Sequence, residues 1–366
     1  MKTSLYRDKL WIFKSGISTA FEHQRIALSK VGVEVAAGMS PDSDAVHFNW
    51  YSPLSRWKMK KARARGQKAV VFAHTANDLR QSFKYSRLVE PIVRHYLAGF
   101  YSRADLLVAP TEYCKRLIQG EGYNVANRVH VISNGVDTDR FVFSQEKRRE
   151  YRRRYNLSGP TVVTAGQFIP RKGVVDFIEV ARRLPHYTFI WFGPITSKWL
   201  SFSEGMRRAL ANKPDNLIVA GFVDDIVAAL CCGDLFLFPS YEENQGIALL
   251  EAACIGLPIV LRPLPVYEGW LKYGENCLAA ETIDEFAEAV QRVYEDNDLR
   301  SGLSGKAHEM AMGHNLRAVG QQLLAAYREE LGIAAGEPGV AGAQMAKANT
   351  GATKHYGSGE STATRT

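Results

Sequence analysis

Two glutamates, eight positions apart, lie in the segment of the chain that is most informative about chemistry. Residues 239–258 read Pro-Ser-Tyr-Glu-Glu-Asn-Gln-Gly-Ile-Ala-Leu-Leu-Glu-Ala-Ala-Cys-Ile-Gly-Leu-Pro. Glu243 lies in a polar loop after an apolar run, and Glu251 lies in the second turn of a predicted helix. Two such carboxylates can accept hydrogen bonds from sugar hydroxyls. From spacing alone, a capped helix with one exposed and one partly buried glutamate explains the segment equally well.

The start of that helix is a predicted phosphate site. Free backbone amides at a helix N-terminus bind anions, and a glycine lets the anion come close to the backbone. The residues expected to contact a donor phosphate here are Gln245, Gly246 and Ile247.

A second polar loop, Gly166-Gln-Phe-Ile-Pro-Arg-Lys-Gly173, follows a predicted strand and precedes a predicted helix. Arg171 and Lys172 would then point into a cleft, where two cations can hold a diphosphate. A solvated Arg-Lys pair on a turn is the commoner outcome for such a dipeptide. The loop does, however, lie at the same edge of the predicted sheet as Glu243.

Three weaker signals lie in the first half. Gly16, within Lys14-Ser-Gly-Ile-Ser-Thr19, precedes the first predicted helix but is not part of a P-loop. His74 ends a predicted strand, and a lone histidine is more often structural. Asp42-Ser-Asp44 is similar to the metal-binding DxD of transferases with another fold. Because it precedes a strand within a turn, we expect turn chemistry there and no metal.

Short apolar runs that alternate with helix-length segments must position these residues. Runs of this length are typical of parallel strands covered on both faces. The predicted strands are Leu10–Phe13, Val33–Ala37, Ala45–Phe48, Ala69–Ala73, Leu106–Ala109 and Val129–Ile132, then Thr161–Ala165, Thr188–Phe192, Leu217–Ala220, Leu235–Phe238 and Ile259–Leu261. The pattern predicts an α/β protein with two Rossmann-like domains that face each other across a cleft.

Capping residues and helical periodicity predict the helices, and from these the limits of the domains. The first helix is expected to start near Thr19, which forms a capping box with Glu22, and to stop at Gly32. The other predicted helices are Ser144–Asn156, Val174–Leu184, Asp225–Cys232, Gly246–Ile255, Ile283–Asn297 and Leu316–Leu331. We expect an N-terminal domain over 1–137, a C-terminal domain over 138–312, a closing helix over 313–331 that returns toward the N-terminal domain, and a disordered tail over 332–366.

The positive charge of the chain lies in its first half. Residues 1–135 carry 21 Lys and Arg against 10 Asp and Glu, which gives +11, while the whole chain has a net charge of +8. Nucleic acid, anionic lipid and a phosphorylated substrate are all compatible with that charge. Basic and aromatic residues mix in 56–65, a predicted helix, and again in 83–89. The residues expected to contact a membrane or acceptor are Trp50, Arg56, Trp57, Lys58, Lys60, Lys61 and Arg63. A solvated helix explains either stretch equally well.

Composition narrows the cellular setting. The five cysteines include no CxxC pair, which disfavours a disulfide framework or a zinc site and favours a reducing cytosol. The first 14 residues lack the apolar core of a signal peptide, and no run approaches the roughly 20 apolar residues of a membrane span. A protein of this kind that meets a membrane is expected to lie on its surface.

The order of these motifs, together with Ile-Ser-Asn-Gly-Val-Asp-Thr-Asp-Arg-Phe at 132–141, resembles the GT-B glycosyltransferases of family 4 over about residues 9–330. Segments 14–17, 77–83, 187–193 and 265–270 are similar to bacterial diacylglycerol glycosyltransferases, in particular those that add a second hexose to α-monoglucosyldiacylglycerol. The resemblance implies a retaining transfer of glucose or galactose from a UDP-sugar to a glycolipid. It also implies a peripheral protein at the cytoplasmic membrane face, with Mg²⁺ compatible but not required.

The resemblance also assigns roles to single residues. It places Gly16 and Gly166 near the donor phosphate, His74 at the donor sugar, Arg171 and Lys172 at the diphosphate, Glu243 at the sugar hydroxyls and Glu251 at the ribose. Catalytic roles are thereby expected of His74, Arg171, Lys172 and Glu243. The chain departs from many relatives at Gln167, where they have an arginine, and in a short first domain.

Three alternatives remain open at this point. The acceptor could be a soluble or polyprenyl-linked glycan, or the protein could be a GT-B sugar-nucleotide epimerase that needs no acceptor. A nucleic-acid-binding protein would explain only the basic first half, since it leaves Glu243 and Glu251 without a role and no binding motif is present. No nucleic-acid partner is therefore expected.

Overall fold

Two six-stranded sheets, each built of parallel strands, organise the molecule. The computed structural model describes residues 1–8, 16–74, 86–120, 123, 125–126, 128–195 and 204–332. The first sheet contains β1 Lys2–Tyr6, β2 Glu34–Ala37, β3 Ala45–Phe48, β4 Lys68–Phe72, β5 Leu106–Ala109 and β6 Val129–Val131. The second contains β7 Thr161–Ala165, β8 Thr188–Phe192, β9 Leu217–Gly221, β10 Leu235–Phe238, β11 Ile259–Leu261 and β12 Leu278–Ala279. The predicted α/β class is confirmed.

Helices follow most of the strands, as a parallel sheet requires. The described helices are α1 Gly16–Lys30, α2 Pro53–Arg63, α3 Ser86–Tyr101, α4 Glu112–Gln119, α5 Gln145–Arg154, α6 Val174–Arg183, α7 Glu204–Ala211, α8 Ile226–Cys231, α9 Ile247–Ile255, α10 Ile283–Glu295, α11 Asn297–Gly313 and α12 Leu316–Leu331. Local sequence explains several of their ends. Ser52 caps α2 with Pro53 in its first turn, and Thr282 and Glu285 form a capping box on α10.

The strand order puts one switch point in each sheet. The first sheet runs β2-β1-β3-β4-β5-β6 and the second β12-β11-β10-β7-β8-β9. The direction of winding reverses between β1 and β3 in the first sheet and between β7 and β10 in the second. Ligands of open α/β sheets bind where the carboxyl ends of the strands meet such a reversal. The Gly166–Gly173 loop follows β7 and the Glu243 loop follows β10, so the second sheet brings both to one place.

The closing helix α12 packs on α1 of the first sheet. A Cβ atom at Gly320 would lie 2.2 Å from the carbonyl oxygen of Ala27, so only glycine allows this approach. At its far end, Arg128 contacts both Glu329 and Glu330. The predicted helix Leu316–Leu331 is thus confirmed, and it reaches back to the first sheet.

The first strand and the first helix differ from expectation. The predicted strand Leu10–Phe13 lies outside the described residues, whereas β1 is Lys2–Tyr6. The polar residues of β1 can be buried because residues distant in sequence satisfy their hydrogen bonds: Thr3 donates to the carbonyl of Ala45 at 3.2 Å. The predicted capping box of Thr19 and Glu22 is wrong, since α1 begins at Gly16 and Thr19 lies inside it.

Three elements of the second half, α7, β12 and α11, were not predicted. β12 has only two residues, which is too short for a strand pattern. α11 spans 17 residues but contains Gly302 and Gly305 and alternates its polarity, which hides a helical period.

The structure also bears on four smaller expectations: the cysteines, the Asp42 turn, the tail and membrane-spanning helices. All five cysteines, each within the described residues, are buried free thiols. Asp42 lies in a turn with its carboxylate 2.6 Å from Lys2 Nζ, as expected for turn chemistry. The predicted tail lies outside the described residues after Gly332. No helix in the described part of the chain is both long and apolar enough to cross a bilayer.

Candidate active site

Glu243 is the buried centre of the loop after β10. Its side chain accepts a hydrogen bond from Ser240 Oγ at 2.7 Å and pairs with the ammonium group of Lys172. Burial raises the pKa of a carboxyl group, but the charges of Lys172 and Arg171 outweigh it and hold the pKa of Glu243 below its ordinary value. Glu243 is therefore ionised at neutral pH, and it presents acceptor oxygens only.

A tight turn brings the two cations to this loop. Pro170–Lys172 forms one turn of 3₁₀ helix that ends at Gly173, where φ is +73°. A Cβ atom at Gly173 would lie 2.2 Å from the carbonyl oxygen of Pro239, so the two loops touch only because this residue is glycine. Arg171 Nη1 donates to the carbonyl of Glu242 at 3.0 Å. The prediction that Arg171, Lys172 and Glu243 lie together is consistent with this arrangement.

Helix α9 begins beside them with its amides uncapped by a side chain. Gly246 is the N-cap residue at φ +87°, and it makes no side-chain cap hydrogen bond, so Ile247 is the first helical residue. Glu251, one turn further along, is 9% exposed. Burial raises the pKa of Glu251 to about 7, and the charge of Arg140 opposes this rise only in part. The protonated form of Glu251 is therefore more populated near neutral pH than that of an exposed glutamate.

Asn244 and Gln245, which separate Glu243 from the helix, contact the other half of the molecule. Asn244 Nδ2 donates to the carbonyl of His74 at 2.7 Å. Gln245 Oε1 accepts from the amide of Asn134 at 2.8 Å, and its Nε2 donates to Ser133 Oγ at 2.6 Å. The Gln245 side chain, expected at a donor phosphate, is thus engaged between the two halves.

His74 follows β4 and is 7% exposed. Its Nε2 lies 2.6 Å from Asn49 Oδ1, and its backbone amide donates to the hydroxyl of Tyr51 at 2.6 Å. Burial lowers the pKa of His74 to about 4, so the ring is neutral at physiological pH. Through Asn244, His74 is joined directly to the Glu243 loop.

The structure describes the surroundings of Gly166 more fully than those of Gly16. Gly16 is the first residue of α1, and the rest of its predicted loop, 9–15, lies outside the described residues. Gly166 follows β7, where its carbonyl accepts from Trp191 Nε1 at 2.9 Å. The backbone there is therefore anchored beside the Lys172 turn.

The expected membrane face lies mainly on α2 and needs one correction. Trp57 on α2 is 53% exposed, with the ammonium groups of Lys58 and Lys61 at 5.2 and 5.3 Å from its ring centre. Lys60, on the same helix, is also exposed, as is Arg63. Arg56 lies over the ring of Tyr96 on α3, so α2 and α3 form one surface.

Trp50 was expected on that face, and this prediction is wrong. It is the second residue after the central strand β3 and is 3% exposed, with its ring centre 5.4 Å from that of Phe21 on α1. The end of a buried strand places an aromatic residue in the core, whatever charges follow it in sequence.

Sequence reasoning missed three polar residues of the site: Asn49, Ser240 and Asn244. Asn49 and Ser240 come shortly after buried strands, at the carboxyl edge where ligands bind, and this position alone could have identified them. Asn244 had no such signal, because its partner His74 is 170 residues away in the other half.

A cavity of about 260 Å³ adjoins the site between the two halves. Its lining includes Thr111 and Ser133 from the first half and Gln245, Trp270 and His314 from the second. Lys172, Glu243 and Glu251 are not among its lining residues, so this space is distinct from the charged centre.

Two family descriptions match consecutive parts of the chain: Glycosyltransferase Family 4 over residues 26–140 and Glycosyl transferases group 1 over residues 159–296. A processive diacylglycerol alpha-glucosyltransferase of Acholeplasma laidlawii is 35% identical over 91% of this chain and 99% of its own length. An alpha-galactosylglucosyldiacylglycerol synthase of Streptococcus pneumoniae is 29% identical over 72% of this chain and 77% of its own length.

Solved structures share the fold at lower identity. Anabaena HepE, in complex with UDP and glucose, has a TM-score of 0.71 at 15% identity and covers 90% of this chain and 100% of its own. A sucrose-phosphate synthase from Thermosynechococcus elongatus has a TM-score of 0.76 at 16% identity, covering 91% and 99%. The fold is thus GT-B, and the chain belongs to the group 1, family 4 glycosyltransferases.

Proposed function

We propose that this enzyme transfers a hexose, glucose or galactose, from a UDP-sugar to a glycolipid such as α-monoglucosyldiacylglycerol, with retention of the anomeric configuration. The observation that carries the proposal is the buried Lys172–Glu243 pair beside the open N-terminus of α9, at the switch point of the second sheet. The alpha-glucosyltransferase relative from Acholeplasma laidlawii, which matches over 91% of the chain, supports a diacylglycerol-based acceptor.

We propose a definite direction for the donor in this site. Its diphosphate would lie against the α9 amides and within reach of Arg171 and Lys172. The helix N-terminus and the two cationic side chains all attract negative charge. Glu251 would accept hydrogen bonds from the ribose, and Glu243 and His74 would contact the hexose. Gly16 and Gly166 would leave space for the phosphates at the ends of β1 and β7.

The chemistry that we propose is electrostatic. Departure of UDP leaves negative charge on the β-phosphate and positive charge on the anomeric carbon. Preorganised cations and amides would stabilise the first, which is usually the largest single contribution to catalysis. The acceptor hydroxyl would attack from the face that UDP leaves, and a phosphate oxygen would take its proton. This scheme needs no metal, so transfer should survive a chelator; dependence on added Mg²⁺ would contradict it.

The acceptor side is proposed to be a membrane surface. The exposed Trp57 and the lysines around it lie on α2, next to α3, whose Ile92 is 73% exposed. Basic and aromatic side chains of this kind bind anionic interfaces. We therefore propose a peripheral protein of the cytoplasmic membrane face, with no nucleic-acid partner.

A product assay tests the proposed function. Purified protein would be incubated with UDP-glucose, UDP-galactose or UDP-GlcNAc and with diacylglycerol, monoglucosyldiacylglycerol, soluble sugar or no acceptor, and the products identified by mass spectrometry. We expect a hexose to be added to a lipid. Transfer to soluble sugar alone would favour the alternative acceptor class. Conversion of UDP-GlcNAc without acceptor would favour an epimerase, and salt-sensitive DNA binding without transfer would favour the nucleic-acid alternative.

A further inference from the structure

A chain of buried polar side chains runs from His74 through the first half of the molecule to the closing helix. Gln24 on α1 and Asn49 after β3 form a reciprocal amide pair, with N···O distances of 2.8 and 3.0 Å. Asn49 Oδ1 also lies 2.6 Å from His74 Nε2, and Gln24 Oε1 lies 3.2 Å from His47 Nδ1. His47 Nε2 contacts the hydroxyl of Tyr327 on α12. One connected path of hydrogen bonds thus links His74 in the candidate active site to Tyr327 on the closing helix α12.

Burial makes this arrangement demanding. Gln24 is 3% exposed, and Asn49, His47 and Tyr327 are 0% exposed. A buried amide that loses a partner costs free energy, so each of these groups constrains its neighbours. Apolar side chains would fill the same space without that constraint, which indicates that the polar chain serves the residue at its open end, His74.

The pairing fixes where the protons lie. An amide oxygen only accepts, so Asn49 Oδ1 requires a proton on His74 Nε2. Gln24 Oε1 likewise requires a proton on His47 Nδ1, and Tyr327 can then donate to the other nitrogen. Since burial holds the pKa of His74 at about 4, the ring is neutral and its Nδ1 carries a free lone pair. Reversal of this tautomer would require both amides to turn over together.

We propose that Asn49 is a positioning residue for His74. It holds the ring in one plane and one tautomer, so that Nδ1 can accept a hydrogen bond from a hydroxyl of the donor hexose, and Gln24 holds Asn49 from behind. The identity of the hexose rests on the proposed function, whereas the tautomer does not. The main chain of His74 is fixed as well, by Tyr51 at its amide and Asn244 at its carbonyl.

The test combines a spectroscopic and a kinetic measurement. Nitrogen chemical shifts of ¹⁵N-histidine-labelled protein distinguish the two tautomers, with the His74 signals identified by their loss in His74→Gln. We expect the wild-type ring to be protonated on Nε2. In Asn49→Asp, a carboxylate beside Nε2 stabilises the imidazolium, so the pKa of His74 should rise toward neutrality.

The kinetic measurement follows kcat at saturating donor, because kcat reports the pKa values of groups in the enzyme–substrate complex and not those of the free enzyme. The protonated ring has no acceptor nitrogen, so kcat of Asn49→Asp should fall as pH decreases, by about ten-fold at pH 6 relative to wild type, and recover at pH 8.5. The titratable groups connected to His74 by the hydrogen bonds described are Tyr51, at its amide, and His47 and Tyr327, by way of Asn49 and Gln24; Asn244 connects its carbonyl to the loop that carries Glu243. They are unchanged by the substitution.

Controls make the outcome decisive. Asn297→Asp is the same chemical change at an exposed helix start in the other half and should alter neither reading. If Asn49→Asp does not fold, Gln24→Leu/Asn49→Leu removes both amides together and should give a mixture of His74 tautomers. A wild-type proton on Nδ1, or an unchanged tautomer and pH profile in these variants, would overturn the proposal. An enzyme without hexose transfer would defeat the proposed function while the tautomer measurement still decides the role of Asn49.

Discussion

At the scale of single residues, Lys172 and Glu243 depend on each other. Their side chains are 14% and 6% exposed, so removal of one takes a buried counter-charge away from the other. We expect Lys172→Met to reduce kcat by about 10²–10³-fold, as for loss of one oxyanion donor. It should also destabilise the fold by about 3–5 kcal/mol.

The double variant Lys172→Met/Glu243→Gln separates these two effects. It removes both charges, so most of the stability should return while the rate stays low. Urea unfolding and initial rates measure the two quantities. A Lys172→Met enzyme with normal turnover would reject the proposed role of this lysine.

Glu251 gives a prediction about pH. Burial raises its pKa to about 7, above the ordinary value of 4.5, so the folded state binds more protons than the unfolded state between these values. The contribution of this group to stability is therefore lost as pH rises from 4.5 to 7. Glu251→Gln should raise the free energy of unfolding at pH 8 by on the order of 1–3 kcal/mol and change it little at pH 4.5.

The same substitution should weaken donor binding. The ionised carboxylate can accept hydrogen bonds from two ribose hydroxyls, so kcat/KM of the wild type should decline below pH 7. The kcat/KM of Glu251→Gln should be low at every pH and should not show this decline. Equal stability changes at pH 4.5 and pH 8 would show that Glu251 is not protonated in the folded protein near neutrality.

At the scale of elements, the turn that carries Arg171 and Lys172 depends on Gly173. Alanine there would require a left-handed backbone and would meet the carbonyl of Pro239. We expect Gly173→Ala to destabilise the protein by about 1–2 kcal/mol from the backbone alone and to reduce kcat/KM, because Lys172 moves away from the α9 amides. Gly159→Ala is the control: its Cβ meets nothing within 4 Å, so its effect should stay within about 0.5 kcal/mol.

The helix α2 supports a prediction about the membrane. Lys60→Glu/Lys61→Glu should weaken cosedimentation with anionic vesicles at low salt by about 1 kcal/mol per lysine, or roughly thirty-fold. Arg149→Glu/Arg153→Glu makes the same change of net charge on α5, in the other half, and should bind nearly as wild type. Equal losses for both pairs would mean that overall charge, and not the α2–α3 surface, attracts the vesicles.

Local pattern was sufficient for elements whose signals are local. β7, β8, β10 and β11 are apolar runs between turn residues, and the sequence predicts their limits correctly. β1 was not predicted, because its polar residues are buried and form hydrogen bonds with residues 39 and 42 positions away in the sequence. The nearness of Lys172 to Glu243 was predictable, since both follow central strands of one sheet. The contact of Asn244 with His74 was not, because it depends on how the two halves face each other.

At the scale of the whole molecule, the side chain of Asn244 joins the halves: its Nδ2 donates to the carbonyl of His74, and its Oδ1 accepts from Cys114 Sγ at 3.6 Å. Asn244→Ala should remove about 1 kcal/mol from the closed arrangement, which lowers its population relative to open forms about five-fold. Small-angle X-ray scattering should then show a larger radius of gyration without UDP than for wild type, and KM for the donor should rise more than kcat falls.

Asn212→Ala is the matched control for closure, since among the described residues its amide donates within its own half, to the carbonyl of Arg208. It should scatter as wild type does. An Asn244→Ala profile identical to wild type, with and without UDP, would mean that this contact does not hold the halves together.

Four consecutive residues, Glu243 to Gly246, contact different neighbours in turn: the turn that carries Lys172, the carbonyl of His74, the segment Ser133-Asn134, and the start of α9. One added residue anywhere among them would shift every later side chain onto the wrong neighbour. This stretch should consequently tolerate changes of side chain far better than changes of length, and an engineer who wishes to lengthen a loop at this cleft should choose another one.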